Sequence, residues 1–157
     1  MELVTCELPA FSVIGIEGRA EPGHNPTPAL WEAANVRFGE VEALAQRDGT
    51  GMPVGIWGAM SDLSRRFLPW TDGFSRGLYL AGVQVPAGVE PPEGWTKWTL
   101  PAFACLRVKA EGDCAAAFRM GLEELGRRGL TLAGAAQECQ CPAEGGQLYL
   151  FFPFKRL

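Results

Sequence analysis

The 157-residue sequence lacks the features that mark several classes of protein. No stretch approaches the roughly 20 apolar residues of a membrane-spanning helix, and the N-terminal segment has neither the basic start nor the apolar run of a secretory signal. The net charge is −4, with no concentrated cluster of Lys or Arg, whereas direct nucleic-acid binding needs a basic face. We therefore predict a cytoplasmic protein that binds neither membranes nor nucleic acids directly.

Signatures of metal and cofactor binding are equally scarce. The chain has one histidine, His24, and five cysteines, of which Cys139 and Cys141 are spaced more closely than the usual zinc ligands. An odd cysteine count without a secretory signal predicts reduced thiols. The sequence also has no P-loop, no Gly-rich dinucleotide motif and no GxSxG motif. We predict no metal and no cofactor.

An internal repeat is what the sequence does contain. The tetrapeptide Leu-Pro-Ala-Phe occurs at residues 8–11 and again at 100–103. Each copy is followed by a strand-like segment, an amphipathic helix that ends at a glycine, and more strand-like sequence, which is the pattern of a duplicated unit. This predicts a single domain over 1–157, with half-repeats at about 1–86 and 95–157 and a Pro- and Gly-rich linker at 86–94.

Each half is predicted to have the order strand–helix–strand–strand. Helical spacing of apolar residues predicts helices over 28–47 and 114–128, the second with Asp113 as its N-cap and Gly129 at its end. Segments rich in β-branched and aromatic residues predict strands over 5–16, 53–60, 74–85, 95–108, 130–142 and 147–155. We expect an α+β fold, β-α-β-β twice about a pseudo-twofold axis, with an antiparallel sheet and two helices on one face.

The sequence has many aromatic residues: five Trp, two Tyr and nine Phe. Two helices cover only one face of a sheet, and a cleft between the halves that is lined by aromatic rings would suit a small organic ligand. Glu138 lies in an otherwise small and apolar segment. If it faces the cleft, its carboxylate would attract a cation, and the rings would add cation–π attraction. If the strand is half-exposed, Glu138 simply points to water, and periodicity does not decide between these two alternatives.

Several short motifs, in this order and spacing, resemble the gyrase-inhibitor-like (GyrI-like) small-molecule-binding domain. They are the Leu-Pro-Ala-Phe strand at 8–16, the helix containing ALWE at 29–32, and the segments 79–85, 94–104 and 149–155. The same domain is the effector-binding domain of AraC-type and MerR-type multidrug transcription regulators. The resemblance covers essentially the whole chain and implies the duplicated fold that the repeat predicts. Because strand-like sequence begins within the first residues, we expect a stand-alone form without a DNA-binding module.

The resemblance also implies roles for individual residues. In relatives that bind cationic aromatic drugs, a glutamate on the strand before the last hairpin lies on the pocket floor, and Glu138 occupies that position. Tyr79 matches an aromatic position of the family, whereas Gln84 stands where relatives often have a second glutamate. Attraction for dications should then be weaker. The predicted ligand-binding residues are Glu138, Trp57, Tyr79, Trp98, Phe152, Gln84 and Trp31, although Trp31 is also a natural core residue.

These features predict a binding protein that holds an aromatic, cationic or amphipathic ligand between its halves, in sequestration or transcription regulation. Two alternatives remain open. One is a hydrolase of electrophilic small molecules, in which Glu138 would be the catalytic residue. The other is a protein-binding role, with a regulatory protein or DNA gyrase as the partner. The sequence predicts no particular oligomeric state.

Overall fold

The computed structural model describes all residues, Met1–Leu157. Eight strands form one antiparallel sheet, and two α-helices pack on it. The elements are β1 (Glu2–Leu8), β2 (Phe11–Ala20), α1 (Thr27–Val36), β3 (Ile56–Ser61), β4 (Gly77–Val85), β5 (Thr96–Leu100), β6 (Phe103–Lys109), α2 (Cys114–Arg127), β7 (Gln137–Cys141) and β8 (Gln147–Arg156). No helix has the length and apolar character needed to cross a membrane.

The order of strands in the sheet shows the duplication. It runs β1-β6-β8-β7-β3-β4-β2-β5, so that exchanging the first and second halves of the chain reproduces the same order read backwards. The pseudo-twofold axis therefore passes between β7 and β3, the central pair. The predicted duplicated α+β fold with an antiparallel sheet is confirmed.

The two Leu-Pro-Ala-Phe copies are crossings between the halves. The sequence predicts continuous strands over 5–16 and 95–108, but each is broken at Pro-Ala: β1 ends at Leu8 and β2 begins at Phe11, and β5 ends at Leu100 and β6 begins at Phe103. Proline has no N–H to donate and rarely occurs inside a sheet. As a result β1 pairs with β6 of the second half, and β5 pairs with β2 of the first.

These short crossings require a strongly curled sheet. Three Cα steps separate Leu8 from Phe11, which span at most roughly 11 Å, whereas β1 and β2 would lie six strand spacings, or about 29 Å, apart in a flat sheet. The curl brings the two edges together, and Leu8 of one edge and Leu100 of the other pack into the same core.

The sheet has a core on each face. On the helix face, α1 packs over β2 and β4, with Ala34 beside Val83, and α2 packs over β6 and β8, with Leu125 near Phe152. The face enclosed by the curl is closed by residues 62–76, which we call the β3–β4 loop, and its Phe67 ring contacts Trp98 at 5.8 Å between centroids. Neither face is left bare.

Several element boundaries differ from the sequence-based expectation. The helix expected over 28–47 ends at Val36, and Arg37 is its C-cap. Gly39, which has a low helix propensity, disfavours continuation. Two 3₁₀ turns follow. The strand expected over 130–142 is only Gln137–Cys141. The segment before it is irregular because its N–H groups bond elsewhere, for example that of Ala135 to the Phe67 carbonyl in the β3–β4 loop.

Candidate functional site

A cavity of about 790 Å³ opens on the helix face, over the central strands and between the two half-domains. We call it the cleft. Its floor is Met60 of β3, Tyr79 of β4, Glu138 of β7 and Ala136, which directly precedes β7. Its walls are the first turns of α2 (Cys114, Ala115, Phe118 and Arg119), the segment before α1 (residues 20–27) and the β3–β4 loop (Pro69, Trp70, Phe74 and Ser75). The cleft is therefore built from both halves.

The register of the strands puts Glu138 on the pseudo-twofold axis. Ile16 and Val108 are equivalent, since each lies five residues beyond the Phe of its Leu-Pro-Ala-Phe copy. The ladder leads from Ile16 across β4 to Gly58, and from Val108 across β8 to Glu138. Gly58 and Glu138 also face each other in the central β3–β7 pair. The same position of the fold thus carries a carboxylate in one half and no side chain in the other.

Gly58 provides the space that the floor of the cleft uses. A Cβ atom at this position would overlap the hydroxyl oxygen of Tyr79 and the Oε1 atom of Glu138. Only glycine therefore lets both polar groups meet above the backbone of β3.

The Glu138 carboxylate ends a short chain of hydrogen bonds. The Nε1–H of Trp31 donates to the Tyr79 hydroxyl oxygen at 2.9 Å, and the Tyr79 hydroxyl donates to Oε1 of Glu138. Tyr79 is 1% exposed. No Lys, Arg or His forms an ion pair with Glu138; every ion pair of the chain involves another acid. Its charge is neutralised by no group of the protein.

Burial governs the ionisation of both groups. It raises the pKa of Glu138 above its ordinary value, and the Tyr79 hydrogen bond only partly opposes this. Burial and the neighbouring carboxylate also raise the pKa of Tyr79, so the phenol stays a proton donor. An ionised Glu138 is a desolvated anion that a bound cation would stabilise.

The structure brings two of the seven predicted residues into the cleft and places a third, Trp31, beside it. Glu138 and Tyr79 line its floor, and Trp31 bonds to Tyr79 while lining a neighbouring cavity of about 210 Å³. Phe152 is fully buried beneath α2, where its ring contacts Phe118 at 5.6 Å between centroids. It supports the wall of the cleft without lining it.

Trp57, Trp98 and Gln84 lie on the opposite face of the sheet. Successive side chains of a strand point to opposite faces, and Trp57 precedes Gly58. Its Nε1–H donates to Oε1 of Gln84 at 2.9 Å, and that of Trp98 donates to Glu17 at 2.8 Å. Both rings are buried in the enclosed core. The structure therefore does not bring these three residues into the cleft. The prediction missed this because composition alone does not fix which face of a strand a side chain occupies.

The walls of the cleft contain aromatic residues that the sequence did not single out. Phe118 falls on the apolar stripe of α2 and is indistinguishable there from core. Trp70 and Phe74 belong to the irregular β3–β4 loop, which has no periodicity to interpret. Phe74 reaches across to α2, where its ring meets Phe118 edge-to-face at 5.5 Å. Nowhere in the chain do three His, Cys, Asp or Glu side chains come close enough to hold a metal ion.

No protein-family model matches the sequence, and no curated protein matches it. Solved structures share its fold. One is a candidate bacterial transcription regulation protein from Staphylococcus aureus MU50, with 16% identity, a TM-score of 0.63 and 99% of each chain covered. Another is SAV2435 bound to tetraphenylphosphonium, with 17% identity, a TM-score of 0.61, and 99% of this chain and 94% of that one covered.

The C-terminal domain of EcmrR is a third similar structure, with 10% identity, a TM-score of 0.64, and 99% of this chain and 98% of that one covered. All three likenesses extend over essentially the whole chain. The resemblance to the GyrI-like domain is confirmed at the level of the fold, which this chain shares with structures from bacterial transcription regulation.

Proposed function

We propose that this chain is a small-molecule-binding domain that holds a lipophilic organic cation in the cleft. The observation that carries the proposal is the Glu138 carboxylate, which lies on the floor of a large, mainly apolar cavity and has no basic partner. Removing a charge from water is costly unless an opposite charge replaces the water. A bound cation would supply that charge.

The walls of the cleft suit the rest of such a ligand. Phe118, Trp70 and Phe74 offer aromatic surface, which favours flat or multi-ring molecules and adds cation–π attraction. Arg119 is the one Lys or Arg in the lining, and it makes no ion pair with Glu138. The carboxylate therefore stays available to a ligand.

One structural neighbour supports this class of ligand. SAV2435 was solved with tetraphenylphosphonium, a cation whose charge is surrounded by four phenyl rings and which has no hydrogen-bond donor. Such a molecule is recognised by charge and apolar contact alone, the two features of this cleft. Binding of this kind would serve sequestration of a toxic cation or, with a partner, transcription regulation. A protein-binding role with gyrase remains a prediction.

The test is calorimetric titration of the protein with tetraphenylphosphonium. Glu138→Gln keeps the shape of the side chain and an acceptor for Tyr79 but removes the charge. We expect it to weaken binding by roughly 1–3 kcal/mol, or about 5- to 150-fold, which is within the range of charge–charge attraction at a partly solvated site. Glu7→Gln is the matched control, since it removes the same charge from an exposed position on β1. Equal affinity in the wild type and Glu138→Gln would contradict the proposal.

The predicted hydrolase has less support from the geometry. A second acid beside Glu138 would help to activate water, but Gln84 lies on the other face of the sheet. Glu21 lines the rim of the cleft, and its carboxylate is engaged by Arg19 and Arg76. Glu138 would have to act alone.

A further inference from the structure

A second cavity, of about 210 Å³, lies next to the cleft under helix α1. Seven of its ten lining residues are hydrophobic, including Ile56, Val83 and Trp95, and none of the ten is charged. It shares no lining residue with the cleft, and the hydrogen bond from Trp31 to Tyr79 connects the two linings. It could take an apolar group but not an ion.

The two cavities follow the same pair of central strands. On the helix face of β3, Met60 lines the cleft and Ile56 lines the second cavity, with Gly58 between them. On β7, Glu138 lines the cleft and Gln140, two residues further, lines the second cavity. Two residues along a strand are about 6.6 Å. The cavities are therefore adjacent sections of one groove.

The contact between Trp31 and Tyr79 lies where the two cavities meet. Trp31 lines the second cavity, Tyr79 lines the cleft, and the bond from the Trp31 Nε1–H to the Tyr79 hydroxyl joins them. Below this contact is Gly58, whose missing side chain leaves the room that the Tyr79 hydroxyl and the Glu138 carboxylate occupy. Trp31 is only half-buried and lies on the short helix α1, which begins without a side-chain cap. Of the two rings, that of Trp31 is the more exposed, since Tyr79 is fully buried in β4.

We infer that the second cavity is a subsite for a neutral, apolar arm of the same ligand whose cationic group binds at Glu138. This inference rests on the proposed function and narrows it to elongated amphipathic cations. Displacement of the Trp31 ring opens a passage between the two cavities, and the arm passes above the Tyr79 hydroxyl and the Glu138 carboxylate towards Ile56 and Val83. A compact cation fills the cleft alone, whereas a longer one fills both cavities.

The experiment uses alkyltriphenylphosphonium ions whose alkyl chain grows from methyl through butyl and hexyl to decyl. In the wild type we expect affinity to rise once the chain is long enough to reach beyond the Tyr79–Glu138 pair, by up to about fourfold for each buried methylene, and then to level off. Ala34→Phe fills the second cavity from α1, and Ile56→Phe fills it from β3. Either variant should abolish the gain with chain length while leaving the affinity for the methyl compound unchanged.

Val36→Phe is the matched control, because Val36 is on the same helix but 81% exposed; the gain with chain length should persist in it. Thermal unfolding establishes that each variant is folded, and the two filling variants approach the cavity from separate elements. A gain with chain length that survives in both Ala34→Phe and Ile56→Phe would overturn the subsite and leave the cleft intact. If the methyl compound does not bind the wild type, or binds Glu138→Gln equally, the proposed function fails and the subsite with it.

Discussion

Glu138 should destabilise the protein on its own. An acid whose pKa is raised by burial is more stable in the folded state when protonated. The stability that it contributes is fully present below its unfolded-state pKa and is lost as the pH rises through its folded-state pKa. Wherever Glu138 is ionised, the ligand-free protein carries this cost in order to keep an anion on the floor of the cleft.

This predicts a trade between stability and binding. In the absence of ligand at pH 7, Glu138→Gln should raise the melting temperature, by about 2–4 °C if the gain is near 1 kcal/mol. The difference should shrink as the pH falls and Glu138 becomes protonated in the wild type. Differential scanning fluorimetry over a pH series measures it. A variant less stable than the wild type at pH 7 would show that the carboxylate is satisfied by contacts within the protein.

Gly58 should be as important as Glu138, although it has no side chain. A methyl group there overlaps both the Tyr79 hydroxyl and Glu138. We expect Gly58→Ala to cost about 1–3 kcal/mol of stability, the usual range for overpacking, and to reduce tetraphenylphosphonium affinity together with it. Gly39→Ala is the control, because a methyl at Gly39 meets open space. A stable Gly58→Ala variant with normal binding would contradict the described floor.

At the scale of elements, α2 makes a close contact with the sheet at Gly121. A Cβ on Gly121 would overlap the ring of Phe152, whereas one on Gly126, in the same helix, meets nothing. Gly121→Ala should therefore destabilise the protein by about 1–3 kcal/mol, and Gly126→Ala should stabilise it by up to about 1 kcal/mol through helix propensity. Denaturant titration of the two variants compares them directly. Equal effects would mean that α2 is free to move away from β8.

The elements also show what the sequence could predict and what it could not. The apolar run of β4 and the capped apolar stripe of α2 are local patterns, and both elements were predicted with small errors at their ends. The β3–β4 loop has no such pattern. Four of its non-glycine residues, Arg65, Phe67, Asp72 and Phe74, adopt positive φ, a conformation that side chains disfavour and that tertiary contacts must impose. Its aromatic rings at the cleft were therefore not predictable.

The same limit applies to the faces of strands. The sequence pointed to Glu138 and Tyr79 through a resemblance, and both line the cleft. Trp57 stood out equally, since it lies between Gly55 and Gly58, but one residue of register turns a side chain to the other face. The pairing of β3 with β4 and β7 fixes that register, and neither strand's own sequence specifies how distant strands pair.

At the scale of the whole molecule, the exchanged strands should make the two halves unfold together. Neither half has a complete set of strands, because β1 pairs with β6 and β5 pairs with β2. All five tryptophans lie in, or pack on, the side of the sheet formed by β3, β4, β2 and β5. Tryptophan fluorescence thus reports on one side, whereas far-ultraviolet circular dichroism reports on all of the strands.

We expect the two signals to give coincident unfolding transitions in denaturant, the usual criterion for a two-state protein. The physical reason is that neither side can lose its strands without breaking the crossings at residues 8–11 and 100–103. A fluorescence transition at clearly lower denaturant than the circular dichroism transition would show that the sides unfold independently. The same titration with tetraphenylphosphonium should shift both transitions together.

The position of Glu138 on the pseudo-twofold axis also determines how many ligands one chain can take. A binding site placed away from the axis of a duplicated fold has a structural twin in the other half, and can be occupied twice. A site on the axis has no twin, because the rotation that relates the halves maps the site onto itself. This protein is built from two copies of one unit, yet its cleft should bind one molecule per chain, and titration should give a stoichiometry of one.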